Sequence, residues 1–107
     1  MKGEHLGEFE ELALLAVCAL RDEAYGVTVQ DYLERATRRV VTMGAVYASL
    51  DRLERKGFLR SALGDVKPER GGKRKRLFSI TPTGLRILRA VRKLREQLWQ
   101  AMEAGRS

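Results

Sequence analysis

Residues 42–84 constrain the fold more than any other part of the sequence. They begin with apolar residues at helical spacing, and this pattern ends at Gly57, a residue type that favours the position just after a helix. Two runs of alternating residues follow, at 58–63 and 74–80, and the loop between them contains a proline and three glycines. The segment therefore predicts a helix that is followed by an antiparallel hairpin.

The predicted helix has one apolar side and one open side. It begins after Thr42, a suitable N-cap, and Val46, Leu50 and Leu53 share its apolar side. The opposite side carries small and polar residues, namely Gly44, Ala48, Asp51, Arg52 and Arg55. Small residues near the start of a helix let its backbone approach a DNA groove, so we expect this helix to be a recognition helix.

Two helices are predicted before this segment. Residues 6–20 and residues 26–37 both have apolar side chains at helical spacing. Acidic residues near the start of the first helix, among them Glu10, suit the positive end of its dipole. We expect a polar turn to join these two helices.

The last predicted helix runs from a Thr-Pro pair, which is typical of a helix start, to about residue 104. Its apolar residues are spaced four and three apart, in the pattern of a coiled-coil seam. We expect this seam to join two copies of the chain, with an interface made by Leu12, Ile87, Val91, Leu94, Leu98, Trp99 and Met102. Packing of the same stripe onto the first helix within one chain is the alternative, and both hold if helices from two chains form a small bundle.

The order of three helices, a hairpin and a final helix is that of a winged helix-turn-helix domain. We therefore predict a mainly α fold with a small β-hairpin. A chain of 107 residues is long enough for one domain. Residues 1–80 would form its DNA-binding part, and residues 81–107 would form a C-terminal dimerisation helix in the same compact unit.

Positive charge is concentrated in the second part of the chain. The formal net charge is +7, and after residue 63 there are 12 Lys/Arg against 4 Asp/Glu. Much of this charge lies in the predicted hairpin, where clustered cations neutralise phosphates and give an affinity that falls with salt. Double-stranded DNA fits both the charge and the exposed helix.

We expect DNA contacts from the turn before the recognition helix, from the helix itself and from the hairpin, which we call the wing. The expected contact residues are Arg38, Arg39, Thr42, Met43, Gly44, Tyr47, Ala48, Arg52, Lys73, Arg74, Lys75 and Arg76. Alternative roles exist for several of them. Tyr47 could pack at the edge of the core, Arg52 could pair with Asp51 or Glu54, and the turn and the wing could be merely solvated.

The sequence does not favour an enzyme, a metal protein or a membrane protein. Cys18 is the only cysteine and His5 the only histidine, which is too few for a transition-metal site, and no catalytic set of nucleophile, base and acid is evident. The longest apolar run, residues 12–20, is too short to span a bilayer, and no signal-peptide pattern occurs. We expect a cytoplasmic non-enzyme without metal or cofactor.

Four segments of the chain resemble the PadR family of bacterial transcriptional regulators. They are LGEFEELALLAV, AYGVTVQDYL, GAVYASLDRLERKGFL and ERGGKRKRLFSITPTGLRIL, and the resemblance covers about residues 6–99. It implies a homodimer that binds a pseudo-palindromic operator and usually represses transcription, with the C-terminal helix in the dimer interface. Because a single helix follows the wing, the chain is similar to the small type of this family.

The resemblance implies one rival function, and the predicted winged helix leaves a second. Some relatives release DNA when an aromatic or drug-like molecule binds in a pocket at the dimer centre, and Phe9 and Trp99 are the candidates for lining such a pocket here. Trp99 could instead anchor the interface. A ligand-sensing regulator and a winged helix that binds only proteins are therefore the two alternatives to a sequence-specific DNA-binding regulator.

Overall fold

The computed structural model describes residues 5–64 and 74–105. Within them the chain forms α1 (Glu8–Leu20), a 3-10 turn (Arg21–Glu23), α2 (Gly26–Thr37), α3 (Met43–Arg55), β1 (Leu59–Leu63), β2 (Arg76–Ile80) and α4 (Pro82–Ala104). The predicted fold class, mainly α-helical with a small antiparallel hairpin, is confirmed. Two of the helices, α2 and α4, also have the predicted bounds.

The first helix begins two residues later than its periodicity predicts. Gly7 is extended, and its amide donates a hydrogen bond to Glu10 Oε1 at 2.8 Å. This side chain supplies the acceptor that a backbone amide lacks at the start of a helix. Because the bond closes the first turn from within α1, Leu6 stays outside the helix, where it packs on the edge of the core.

Local capping sets both ends of α3. Thr42 Oγ1 accepts a hydrogen bond at 3.1 Å from the amide three residues later, as the sequence predicts. Gly57 has a φ of 82°, and the amide of Phe58 donates to the Leu53 carbonyl at 2.9 Å. This closure with a left-handed glycine turns the chain directly into β1.

The two strands form the predicted antiparallel hairpin, in which Leu59 lies opposite Ile80. Both strands begin later than predicted. Phe58 is excluded from β1 because its amide closes the end of α3. Of the expected DNA contacts in the wing, Lys73 lies outside the described residues, with the rest of residues 65–73, whereas Arg74, Lys75 and Arg76 are described.

The core is centred on α1. Ala13, Leu14 and Ala16 are fully buried where α1 meets α2, α3, α4 and β2. The two alanines allow these neighbours to approach closely, and larger side chains fill the space around them. The other buried apolar residues are Val17, Ala24, Val29, Leu33, Val41, Val46, Leu50, Leu53, Phe58, Leu59, Phe78 and Leu88.

The last helix extends away from this core. Leu88 is only 8% exposed, whereas Leu94, Leu98 and Trp99 are 53%, 61% and 61% exposed. The molecule consequently measures 60 × 30 × 21 Å. The second half of α4 therefore carries apolar side chains that the described part of the chain does not cover.

The start of α4 is fixed by capping and by a close contact. Thr81 Oγ1 accepts from the Gly84 amide at 3.0 Å, and Pro82 occupies the first helical position, as predicted. Gly84 is buried against the backbone of Phe58. A residue without a side chain is needed here because α4 begins directly after β2, and its first turn lies against the backbone just before β1.

We predict that Gly84→Ala destabilises the protein. A Cβ atom at this position would lie 2.2 Å from the carbonyl oxygen of Phe58, so the start of α4 would have to move away from β1. The expected loss in free energy of unfolding is about 1–3 kcal/mol by urea denaturation. Gly44→Ala is the matched control, because a Cβ at Gly44 would meet nothing within 4 Å. Equal losses at the two glycines would contradict the prediction.

Candidate nucleic-acid interface

One side of α3 is uncovered in the described part of the chain. Val46, Leu50 and Leu53 face the core and are fully buried, as the periodicity predicts. Gly44 and Ala48 are exposed on the opposite side. We call this side the open face, and it comprises Gly44, Ala48, Asp51 and Arg55. Its backbone is accessible because the first two of these residues have almost no side chain.

Tyr47 lies at the edge of the open face and packs against the start of α2. A Cβ atom at Gly26 would lie 2.5 Å from the Tyr47 hydroxyl oxygen, so the close approach of the ring requires glycine there. Tyr47 is nevertheless 45% exposed. The residue therefore packs at the edge of the core, and nearly half of its surface stays accessible to another molecule.

The base of the wing lies beside the same end of α2. Lys75 Nζ lies 5.2 Å from the centroid of the Tyr25 ring, a cation–π arrangement. Arg74 is exposed, and its Nε donates to the Gly64 carbonyl at 2.9 Å. These two contacts orient the cations that precede β2.

Arg76 connects the wing to α3. Its guanidinium group pairs with Glu54 and, at 3.5 Å, with Asp51, and its Nε donates to Ser61 Oγ at 3.0 Å. The group also lies 5.0 Å from the centroid of the Phe78 ring. The structure therefore places Arg76, which is among the expected DNA contacts, in a network with two acidic residues of α3.

Arg52 is held on the other flank of α3. Its Nε donates to Glu10 Oε2 and its Nη2 donates to Ser49 Oγ, both at 3.2 Å. The sequence offers Asp51 and Glu54 as alternative partners, but the acidic partner in the structure is Glu10 of α1. This expected DNA contact is thus also engaged within the protein.

Glu10 is a functional candidate that sequence reasoning missed, since the pattern assigns it only to the helix dipole. The residue is 5% exposed, and it accepts hydrogen bonds from Lys56 Nζ at 2.8 and 3.0 Å in addition to those from Arg52 and the Gly7 amide. Lys56 also donates to the His5 carbonyl at 2.8 Å. Glu10 and Lys56 are 46 positions apart, so no local pattern could have paired them.

The surroundings of Glu10 keep its carboxylate ionised. Burial by itself raises the pKa of Glu10, but hydrogen bonds from Lys56, the Gly7 amide and Arg52 outweigh burial and hold that pKa below its usual value. A negative charge therefore persists between α1 and α3 at neutral pH, where it balances Arg52 of α3 and Lys56, the residue after α3.

Arg55 is a second residue that the expected contact set omits. It is exposed on the open face, and no described residue forms an ion pair with it. A helical wheel places Arg55 near Gly44 and Ala48, so the signal was available in the sequence. Arg38 and Arg39 are exposed in the connection to α3, and Arg38 closes α2 with a left-handed φ of 56°.

The expected interface residues fall into two groups. Leu12, Ile87 and Val91 are half-buried. Ile87 and Val91 belong to the first half of α4, which packs on α1 and where Arg95 pairs with Glu11 at 2.6 Å, and Leu12 lies on α1 itself, beside the turn before α3. The other four are exposed along the second half of α4, namely Leu94, Leu98, Trp99 and Met102. Packing on α1 within one chain accounts for the first group and not for the second.

Phe9 and Trp99, the expected pocket residues, line separate grooves of the single chain. Phe9 lines a groove of about 370 Å³ between α1 and the turn before α3, together with Leu12. Trp99 lines a groove of about 430 Å³ between α1 and α4, together with Leu15 and Cys18. Burial raises the pKa of the Cys18 thiol, which keeps it protonated at neutral pH.

Among residues 5–64 and 74–105, His, Cys, Asp and Glu side chains do not gather in any group of three that could hold a metal ion. In the same residues, none of the helices combines the length and the apolar character needed to cross a membrane.

Comparison with known proteins gives relatives for most of the chain. Residues 14–90 match the transcriptional regulator PadR-like family, and no curated protein matches the sequence. Similar solved structures include a PadR-like transcription factor from Bacteroides fragilis, with 22% identity, a TM-score of 0.74 and coverage of 90% of this chain and 87% of that one. Also similar is a PadR family regulator from Clostridium difficile R20291, with 21% identity, a TM-score of 0.73 and coverage of 94% of this chain and 100% of that one. A PadR family regulator from Eggerthella lenta DSM 2243 has 28% identity, a TM-score of 0.63 and coverage of 92% of this chain and 81% of that one.

We predict that Glu10 makes stability depend on pH. Because its pKa is lower in the folded protein than in the unfolded chain, the stabilisation is complete above the ordinary value of 4.5 and is lost as pH falls through the lower folded value. Glu10→Gln should lower the free energy of unfolding by about 1–2 kcal/mol at pH 7 and by much less at pH 3, in urea titrations.

Glu8→Gln is the control for this prediction. Glu8 lies in the same helical turn, but its side chain is exposed and makes no ion pair with a described residue. It should show no comparable difference between pH 7 and pH 3. A loss in Glu10→Gln that stays constant with pH would assign the effect to packing instead of charge.

Proposed function

We propose that this chain, which belongs to the PadR-like family of transcriptional regulators, acts in the cytoplasm as a homodimer that represses a nearby operon from a pseudo-palindromic operator. Its membership of the family makes it a DNA-binding regulator and not an enzyme. One observation carries the proposal: α3 has an open face without a role in the core, next to a basic wing. Such a helix can read base edges in a groove while the neighbouring cations bind phosphates.

The proposed base contacts come from the first half of α3. They are Thr42, Met43, Gly44, Tyr47 and Ala48, of which all but the half-buried Met43 are exposed. The short side chains at Gly44 and Ala48 allow the helix to enter a groove deeply. Cations on either side would bind the flanking phosphates, namely Arg38, Arg39, Lys73, Arg74 and Lys75.

The proposed dimer is supported by the exposed part of α4. Leu94, Leu98 and Trp99 are each more than half exposed, and burying a large apolar side chain fully contributes about 1.5–3 kcal/mol. A second copy that packed along this seam would bury three such side chains from each chain. Two recognition helices would then face two half-sites of the operator.

A ligand-sensing regulator is the second candidate function. The groove between α1 and α4 is large enough for a small aromatic molecule, and it combines the exposed Trp99 ring with the apolar Leu15 and Leu88 and with the cations Arg89 and Arg92. Because Phe9 lines a different groove, this candidate depends on Trp99 alone within one chain.

Selection of genomic DNA fragments on the purified protein at physiological salt tests the proposal. We expect enrichment of one inverted repeat whose half-sites are related by the twofold axis of a dimer. Broad enrichment without a motif would contradict sequence-specific recognition. Absence of binding to duplex DNA would instead favour the winged helix that binds only proteins.

We predict that Leu98→Glu converts the protein to monomers with poor affinity for the operator, because a charge in an apolar seam is not compensated. Sedimentation velocity would give the oligomeric state, and gel shift would give the affinity. Gln100→Glu is the matched control, since it adds the same charge to an exposed position on the other side of α4. A stable Leu98→Glu dimer would exclude this seam as the interface.

A further inference from the structure

Three cations lie at the C-terminal end of α3, two within the helix and Lys56 directly after it, and their contacts differ. Arg52 and Lys56 are directed to the Glu10 carboxylate, at 3.2 and 2.8 Å. Arg55 lies on the open face, and within the described part of the chain it has no acidic partner. The ion pairs therefore remove two of three adjacent cations from the side of α3 that would face DNA.

Glu10 is built to hold these cations. It accepts hydrogen bonds from Arg52, from Lys56 and from the Gly7 amide, and its side chain is 7% exposed. The side chain of Arg52, by contrast, is 47% exposed. Arg52 could therefore turn into solvent, or toward a phosphate, if the carboxylate did not hold its Nε.

A stabilising role alone does not explain this arrangement. Removing Glu10 alone should destabilise the protein, but replacing a whole buried ion pair by apolar residues of similar size often leaves stability unchanged or raises it, because desolvation of the charges offsets their attraction. What the ion pair does provide is a fixed direction for each side chain. The same holds on the opposite flank, where Asp51 and Glu54 fix Arg76.

We propose that Glu10 is a positioning residue for sequence discrimination: it retains Arg52 and Lys56 against α1 and so prevents both cations from binding the phosphates of any DNA sequence. This inference rests on the proposed function. Phosphate contacts add affinity without regard to sequence. On non-specific DNA the helix is free to settle where released cations reach phosphates best, whereas at the operator base contacts fix its position, so the released cations would strengthen binding to non-specific DNA more than binding to the operator.

The test compares wild type with Glu10→Gln on a random-sequence duplex and on the selected operator, over a series of salt concentrations. The salt dependence of the logarithm of the binding constant should become steeper by about one to two units per chain, as expected for one or two new phosphate contacts. The ratio of operator affinity to non-specific affinity should fall about tenfold. An unchanged slope, or equal changes in affinity for both duplexes, would overturn the proposal.

Glu8→Gln again serves as the matched control, because it removes one negative charge from the same turn without releasing a cation. Its slope and affinity ratio should equal those of wild type. In the double variant Glu10→Gln, Arg52→Gln one released cation is missing, so the slope should return about one unit toward the wild-type value. A slope that remained as steep as in Glu10→Gln would show that Arg52 is not the released group.

Two single variants keep the test decisive if Glu10→Gln does not fold. With Glu10 intact, Arg52→Gln and Lys56→Gln should leave the non-specific slope unchanged, because neither cation reaches phosphate, and a shallower slope would overturn the proposal. Failure of the proposed function is distinguishable. It would appear as a wild-type protein that binds all DNA sequences equally. In that case the salt dependence of binding to random-sequence DNA would still show whether Glu10 retains Arg52 and Lys56.

Discussion

Burial of α1 against the three other helices and β2 is the interaction on which this structure depends. Ala13, Leu14 and Ala16 are fully buried at the point where α2, α3, α4 and β2 meet α1. Because two of these residues end at a methyl group, the helices lie close together, and a larger side chain would displace α3 outward. The position of the open face is thus set by the packing of the buried side of α3 against α1. Residues of the open face do not take part in this packing, so the core does not determine their types and they indicate function instead.

The first turn of α1 adds electrostatic contacts to this packing. Glu10 is directed to α3, where it holds Arg52 and Lys56, and the next residue, Glu11, is directed to α4, where it pairs with Arg95. Successive residues of a helix point about 100° apart, so one turn can reach two neighbours. Ion pairs from adjacent residues of α1 therefore hold both α3, which has the open face, and α4, which has the exposed seam.

The sequence predicted the elements of this fold well because their ends depend on local chemistry. Thr42, Gly57 and Thr81 act within one helical turn of their own position, and each has the role that its residue type favours. The partners of Arg52 and Arg76 were not predicted, because these ion pairs join residues that are distant in the sequence and close only after folding. Phe9 and Trp99 line separate grooves of the single chain, and their meeting in a pocket at a dimer centre stays a prediction.

The distribution of ion pairs also changes what the net charge of +7 means. Arg74 and Arg76 belong to one basic run, yet Arg76 is engaged by acidic residues of α3, while Arg74 is exposed and, among the residues that the structure describes, is bonded to the Gly64 carbonyl alone. A count of cations therefore does not locate a phosphate-binding surface, because acidic partners decide which cations remain available. Phosphates attract cations at any sequence, so a helix that distinguishes base pairs gains from presenting short uncharged residues and keeping its charges to the side. Gly44 and Ala48 form this arrangement in the first half of the open face, with Arg52 and Arg76 held at its flanks, whereas the charged Asp51 and Arg55 lie in its second half.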